Sequence, residues 1–195
     1  QAIFQMNPDG TAQTEYYGNN TFEPTNFFHP RGIPGTAKIM CLVGGHHTPQ
    51  SGKLVVVDPA TGRQGTDGII EIPSGKKPPY EKTDMYAKEG GHYCYPFPLD
   101  EKSLLVSFDP LAYHRRKKDG TQMPDDVKDY VRFHLYYMTT DGRREILTAD
   151  HRISSLKAIP VMSRKTPVVR PSAVDYRKKT GTYFLQNIYH GPGLK

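Results

Sequence analysis

Two short groups of glycine, histidine and cysteine are the residues of this chain that could do chemistry. The first is Gly44-Gly45-His46-His47, and the second is His92 with Cys94. Imidazole and thiolate side chains bind zinc, copper or iron, and glycines let a backbone approach a ligand closely. Adjacent residues of an extended strand point to opposite faces, whereas residues two apart share a face. One of the paired histidines with His92 and Cys94 would therefore form a three-ligand metal site with one open position, as catalytic zinc has.

The same residues also have a structural interpretation, which we prefer. His46 or His47 would hydrogen-bond a neighbouring loop, and the two glycines would serve the backbone geometry of the turn. The sequence contains no evident Ser-His-Asp, paired-carboxylate or phosphate-loop pattern, so we name no catalytic residue. We carry four residues forward as candidate metal ligands: His46, His47, His92 and Cys94. The other histidines have no partner at a recognisable spacing and are assigned no role: His29, His114, His134, His151 and His190.

The chain has only two cysteines. Cys41 lies inside an apolar run and is predicted to be a small core residue. Cys94 has more polar neighbours, so a free thiol, a metal ligand and half of a disulfide all stay open. A Cys41–Cys94 bridge would need Cα atoms within about 7 Å of each other, which the sequence does not determine.

Two apolar runs flank the paired histidines and predict buried strands. Every residue of 39–43 is apolar or cysteine, and residues 54–57 are apolar and mostly β-branched. Such runs are typical of strands that are covered on both faces. The turn residues Asp58-Pro59-Ala60-Thr61-Gly62 then end the second run.

Repeated hairpins, together with 17 Pro, 18 Gly, 13 Tyr and 8 Phe, predict an all-β protein. Residues 1–18 read as strand, Asn-Pro-Asp-Gly turn and strand; residues 131–147 repeat this pattern with an Asp-Gly turn, and residues 55–62 resemble it more loosely. Serial repetition of small hairpins is the pattern of β-propeller blades. We expect a propeller segment of about two to three blades with long loops, which is too few for the roughly four to eight blades of a closed ring.

These patterns also predict how the chain is divided. Residues 1–158 would form the blades, with residues 111–129 as a charged insertion. Residues 159–195 would be a Pro-rich linker that ends in the start of a further strand, at 181–189. The remainder of the ring would come from the parent protein.

Charge and hydropathy exclude two classes of partner. The net charge is +6, and the basic residues occur in small clusters at 115–118, 143–144 and 177–179. The first cluster lies in a polar segment with acidic neighbours, which favours a solvated loop over a nucleic-acid surface. No apolar run approaches the roughly 18 residues of a membrane-spanning helix. We therefore expect neither a nucleic-acid partner nor a membrane span.

With these motifs in hand, the chain resembles the middle region of the hydrazine synthase alpha-subunit family, whose blades are of the TolB type. The resemblance covers most of the chain apart from the insertion. It rests on four segments: MNPDGT to YYG at 6–18, IPG to GGHH at 33–47, GKLVVVDPATGR at 52–63 and GTYFLQNIYHG at 181–191.

The resemblance implies a periplasmic or extracellular β-propeller protein, and in true hydrazine synthases a c-type haem enzyme. Covalent haem attachment needs C-x-x-C-H, which this chain lacks, so no haem residue can be transferred to it. A shared fold does not imply a shared function. The expected function is a non-catalytic scaffold or binding segment with possible protein partners, and the alternative is a haem- or metal-associated oxidoreductase module. The cofactor is not determined by the sequence, although a metal fits the candidate ligands.

Overall fold

The computed structural model of this chain describes residues 2–21, 23–45, 50–75, 91–110, 133–164, 166 and 169–181. All the regular structure in these ranges is β, which confirms the predicted all-β class. The strands form one two-stranded ribbon and two four-stranded sheets, all antiparallel. Their bounds are β1 Ile3–Gln5, β2 Thr14–Tyr17, β3 Asn26–Gly32, β4 Ile39–Gly44, β5 Lys53–Val57, β6 Ile69–Ile72, β7 His92–Pro98, β8 Ser103–Asp109, β9 His134–Thr139 and β10 Arg144–Thr148.

The ribbon, β1 and β2, is the predicted N-terminal hairpin. Its turn is closed by a hydrogen bond from the Gly10 N–H to the Asn7 carbonyl, 2.9 Å long. Gly10 has φ +80°, a conformation that glycine adopts without a steric penalty. The Asp9 carboxylate accepts from the Thr11 N–H at 2.9 Å, which is the local bond that makes Asp a turn residue.

The first sheet, β3 to β6, is buried on both faces at its centre, as the two apolar runs predict. Side chains alternate along its central strands, so one set faces the ribbon and the other faces the second sheet. The ribbon-facing set includes Cys41, Val43, Val55 and Val57, and the opposite set includes Met40, Leu42 and Leu54. All seven side chains are fully buried. The ribbon and the two sheets therefore stack in series around two cores.

The second sheet, β7 to β10, contains the predicted hairpin of β9 and β10. Leu104, Val106 and Phe108 of β8 pack against the first sheet, together with Met138 of β9. Every residue of the outermost strand, β10, is exposed. No helix among the described residues has the length and hydropathy that crossing a membrane requires.

One strand occurs where the prolines of the sequence favour a loop. Residues 19–37 look loop-rich because of their prolines, yet β3 lies there; it is an edge strand, where Pro30 removes no ladder hydrogen bond from the interior of the sheet. β7 begins within the polar stretch 81–95, at the residues whose spacing predicts a shared strand face, His92 and Cys94. The predicted insertion at 111–129 lies outside the described residues, as does the predicted final strand beyond Gly181. The described sheets do not by themselves close a ring.

A segment that follows β10 crosses the stack of sheets without forming a strand of its own. We call residues 153–164 and 169–172 the strap. At one end the Ser155 carbonyl accepts from Ser107 Oγ of the second sheet at 2.8 Å. At the other end Asn7 of the ribbon exchanges two hydrogen bonds with the Arg170 backbone, at 2.9 and 3.2 Å. The strap thereby connects the second sheet to the ribbon.

Candidate functional site

β7 places two of the four candidate ligands, His92 and Cys94, two residues apart on one strand. β8 pairs with it so that His92 lies opposite Asp109 and Cys94 lies opposite Ser107. All four side chains are buried. Residues that are directly opposite in an antiparallel pair share a face, so these four polar side chains form a buried cluster.

The residues that follow the paired histidines hold both candidate ligands. Ser51 Oγ lies 3.0 Å from His92 Nδ1, and the Cys94 thiol donates to the Gln50 carbonyl at 3.3 Å. The start of the loop is fixed as well, because the Asn26 amide donates to the Gly45 carbonyl at 2.8 Å. His46 and His47 lie outside the described residues. The structure therefore brings His92 and Cys94 beside Gln50 and Ser51, which follow the GGHH segment.

The cysteines are both free and buried. Cys41 is a core residue, as predicted. Burial raises the pKa of the Cys94 thiol to about 12, and the charge of Asp109 adds to the effect. Because only a thiolate is a strong nucleophile or metal ligand, Cys94 is unreactive in this state near neutral pH.

The predicted metal site depended on a third ligand from the GGHH loop. Among the described residues, no three His, Cys, Asp or Glu side chains are grouped so that they could hold a metal ion. The ligand set of His46 or His47 with His92 and Cys94 therefore stays a prediction.

Comparisons with known proteins leave the family open. No family model, curated protein or solved structure matches this chain. The resemblance to the hydrazine synthase alpha-subunit family and the extracytoplasmic location accordingly stay predictions.

A second group of functional candidates lies where β3 meets β7, and the sequence analysis missed it. His29 of β3 stacks on Tyr95 of β7, with ring centroids 3.9 Å apart and planes 27° apart. Each residue lies in a β-bulge: the register of β3 shifts between Phe28 and Arg31, and that of β7 between Cys94 and Phe97. His29 was assigned no role because its partner is 66 residues away in sequence.

The strap completes this second group with basic side chains. Lys157 Nζ lies 5.1 Å from the centroid of the Tyr95 ring. Two arginines lie over the Phe97 ring. The guanidinium carbon of Arg164, in the strap, is 4.7 Å from the ring centroid. That of Arg31, in β3, is 5.4 Å from it. These distances are within the range of cation–π attraction. The first strands of the two sheets and the strap thus form a surface of cations on aromatic rings.

The sequence does contain one signal for this surface. Both bulged residues precede a proline, in His29-Pro30 and Tyr95-Pro96. Proline cannot donate to a sheet ladder, so within strands it is confined to edges and bulges. Two X-Pro steps inside aromatic runs therefore indicate two bulges, although they do not indicate that the bulges meet.

Proposed function

We propose that this chain is a segment of a β-propeller that acts as a non-catalytic binding scaffold in a larger extracytoplasmic protein of the hydrazine synthase alpha-like type. The observation that carries the proposal is that the first sheet and the second sheet are built in the same way. Each is a four-stranded antiparallel meander in which neighbouring strands are consecutive in sequence.

The likeness extends to individual residue pairs. β3 and β4 form three pairs, a bulge of two residues opposite one, and then two further pairs. β7 and β8 repeat this arrangement of three pairs, bulge and two pairs. Bulges are designed features of a fold, so a bulge at the same place in both first strands supports structural repetition. In this proposal the ribbon supplies the outer strands of a preceding blade.

The outer face of the second sheet carries partly exposed large side chains, which favours a further blade packed against it. Leu105 pairs with Tyr137, and Leu135 lies on the same face, pointing away from the first sheet. These three large side chains are only half-buried. A following blade would cover them, as the second sheet covers the first.

Hydroxyl-radical footprinting tests the proposal by comparing this chain alone with the intact parent protein. We expect Leu105, Leu135 and Tyr137 to be labelled less in the parent, because a neighbouring blade covers them there. Ile146 and Leu147 of β10 serve as the matched control, because they are 55% and 52% exposed on the outermost strand. They should be labelled equally in both samples. Equal labelling of the three inner residues in both samples would refute the propeller proposal.

One observation favours the alternative, a metal- or haem-associated oxidoreductase module. The buried His92 and Cys94 side chains are bonded to residues 50–51, directly beyond the paired histidines. Elemental analysis and an absorption spectrum of the intact protein, with a His46→Ala/His47→Ala variant, decide between the two proposals. Stoichiometric metal or haem that is lost in the variant supports the redox module. A protein without either, whose variant only unfolds at lower temperature, supports the scaffold.

A further inference from the structure

The meeting point of the two bulges concentrates backbone strain. Four non-glycine residues of the described chain have positive φ, and three of them lie here: His29 at +53°, Tyr95 at +48° and Lys157 at +58°. Such conformations are unfavourable for residues other than glycine and cluster at ligand-binding and active sites. Bulges commonly re-aim a side chain beside such a site. The three residues come from β3, β7 and the strap, so three separate segments place their strained residues together.

Among the described residues, the His29 ring has a buried N–H whose nearest side-chain partner is the exposed Gln50. Its Nδ1 accepts from the Tyr95 N–H at 3.4 Å, which leaves the proton of the neutral ring on Nε2. Nε2 is buried, and within the described part of the chain no acceptor meets it with good hydrogen-bond geometry; Gln50 interacts with the ring more loosely. An unpaired buried donor is costly, and in a native structure it calls for a partner such as a water, an ion or a ligand. Burial and the charge of Lys157 lower the pKa of His29, although the Gln50 side chain partly offsets this, so the ring stays neutral and keeps its Nε2 proton.

Within the described ranges, the cations around His29 have no carboxylate partner. The described ion pairs join Lys38 to Glu101, Arg143 to Asp141 and Arg177 to Asp175. Among the described residues, no carboxylate pairs with the three exposed cations of this surface: Arg31, Lys157 and Arg164. Their positive charge is instead held over aromatic rings, where it remains available to an anion.

We propose that His29, Lys157, Arg31 and Arg164 form a binding site for the phosphate or carboxylate group of a small molecule. The His29 Nε2–H donates to one oxygen of the anion, and the Lys157 ammonium neutralises its charge. Arg31 and Arg164, both on the Phe97 ring, bind the remaining oxygens or a second anionic group. We call this set the anion site. It shares no residue with the predicted metal site.

The arrangement selects against a metal cation. A protonated Nε2 has no lone pair for a metal, and three neighbouring positive charges repel a cation. Gln50 is exposed and interacts with the His29 ring, so its side chain can move aside to admit an anion oxygen. A single buried donor is accessible to a small anionic group and poorly accessible to a polymer backbone, which favours a small molecule over a nucleic acid.

Titration with inorganic phosphate, and separately with succinate, tests the anion site in the full chain at constant ionic strength set by chloride. Calorimetry gives the affinity, and the ¹⁵N shift of His29 Nε2 reports binding at the ring. We expect saturable binding of at least one of the two anions with a shift of the His29 signal. Tighter binding of phosphate assigns a phosphate ligand, and tighter binding of succinate assigns a carboxylate ligand.

Three substitutions separate the site from general charge attraction. Lys157→Met and Arg164→Met each remove one cation from the site and are expected to weaken binding about tenfold, as for a lost charge-assisted hydrogen bond. Lys178→Met removes the same charge from an exposed position outside the site and should change the affinity by less than about twofold. The proposal is overturned if no saturable binding occurs below about 10 mM anion, if the His29 signal does not shift, or if Lys178→Met weakens binding as much as Lys157→Met.

Discussion

Replacing Tyr17 by phenylalanine isolates the contribution of one hydroxyl group to the junction between the ribbon and the first sheet. The Tyr17 side chain is fully buried. Its hydroxyl donates to the Gly65 carbonyl at 2.9 Å, with a longer contact to the Gln64 carbonyl at 3.2 Å, and accepts from the Gly68 N–H at 3.2 Å. It thereby connects β2 to the middle and to the end of the loop that joins β5 to β6.

The expected loss of unfolding free energy follows from the hydrogen-bonding groups that Tyr17→Phe leaves unpaired. Losing the donated bond costs about 1 kcal/mol, and leaving the buried Gly68 N–H without an acceptor costs about 1–3 kcal/mol more. We therefore expect Tyr17→Phe to lower the free energy of unfolding by about 2–4 kcal/mol. Tyr16→Phe is the matched control, because its hydroxyl donates to the Ala37 carbonyl at 2.6 Å, with a longer contact to Val57, and strands no buried N–H. Ala37 is exposed, so water replaces the hydroxyl there and the expected cost is only about 1 kcal/mol.

Urea unfolding of the unsubstituted chain and of the two variants, followed by circular dichroism, measures the loss of unfolding free energy caused by each substitution. The slope of the free energy with urea should be unchanged, since neither variant alters the surface exposed on unfolding. If Tyr16→Phe destabilises the chain as much as Tyr17→Phe, the assignment of the cost to the stranded Gly68 N–H is wrong.

Three further predictions concern close packing, thiol reactivity and alkaline pH. Gly52→Ala should destabilise the chain by about 3 kcal/mol or prevent folding, because a Cβ there would lie 2.1 Å from a carbonyl oxygen of β4. Gly32→Ala is the control in the same urea assay. It should be close to neutral, because a Cβ at position 32 meets nothing within 4 Å. Cys41 and Cys94 should resist iodoacetamide at pH 8 in the folded chain and react in urea, as followed by mass spectrometry; rapid labelling of Cys94 without denaturant would show that its thiol is accessible. Burial raises the pKa of Tyr16 from 10.0 to about 12, so the unfolded chain loses this proton at lower pH than the folded chain does. The urea midpoint of the unsubstituted chain should therefore fall as the pH rises from 10 to 12. The midpoint of Tyr16→Phe should fall by less.

The strands that the sequence predicted well are those in which hydrophobicity alone decides the structure. The uninterrupted apolar runs at 39–43 and 54–57 leave few alternatives to buried strands, and both occur as predicted. β3 and β7 were harder to predict because proline and polar residues interrupt them. Their place in the sheets depends on edge position and bulges, which are settled by partners that are distant in sequence.

In the candidate site, too, local sequence predicted some features, and partners distant in sequence decided the others. The spacing of His92 and Cys94 was enough to place both in one strand, and the structure agrees. Ser51, which bonds His92, and Asp109, which lies opposite it, could not be assigned, because strand register is set by tertiary packing. His29 looked unpartnered for a similar reason: its stacking on Tyr95 depends on two positive φ angles that no local pattern encodes.

The hydrogen bonds between Asn7 and Arg170 have a consequence for how the chain is made. The two residues are 163 positions apart, and the Asn7 side chain is buried once they meet. The ribbon is synthesised before the strap, so the Asn7 side chain cannot form these two bonds until the strap has been synthesised. At about 5–20 residues per second this delay is on the order of ten seconds, during which the local bond from the Asn7 amide to Thr11 Oγ1 is the one that the ribbon itself supplies. The first hairpin of this chain is therefore among the last parts to reach its final set of bonds.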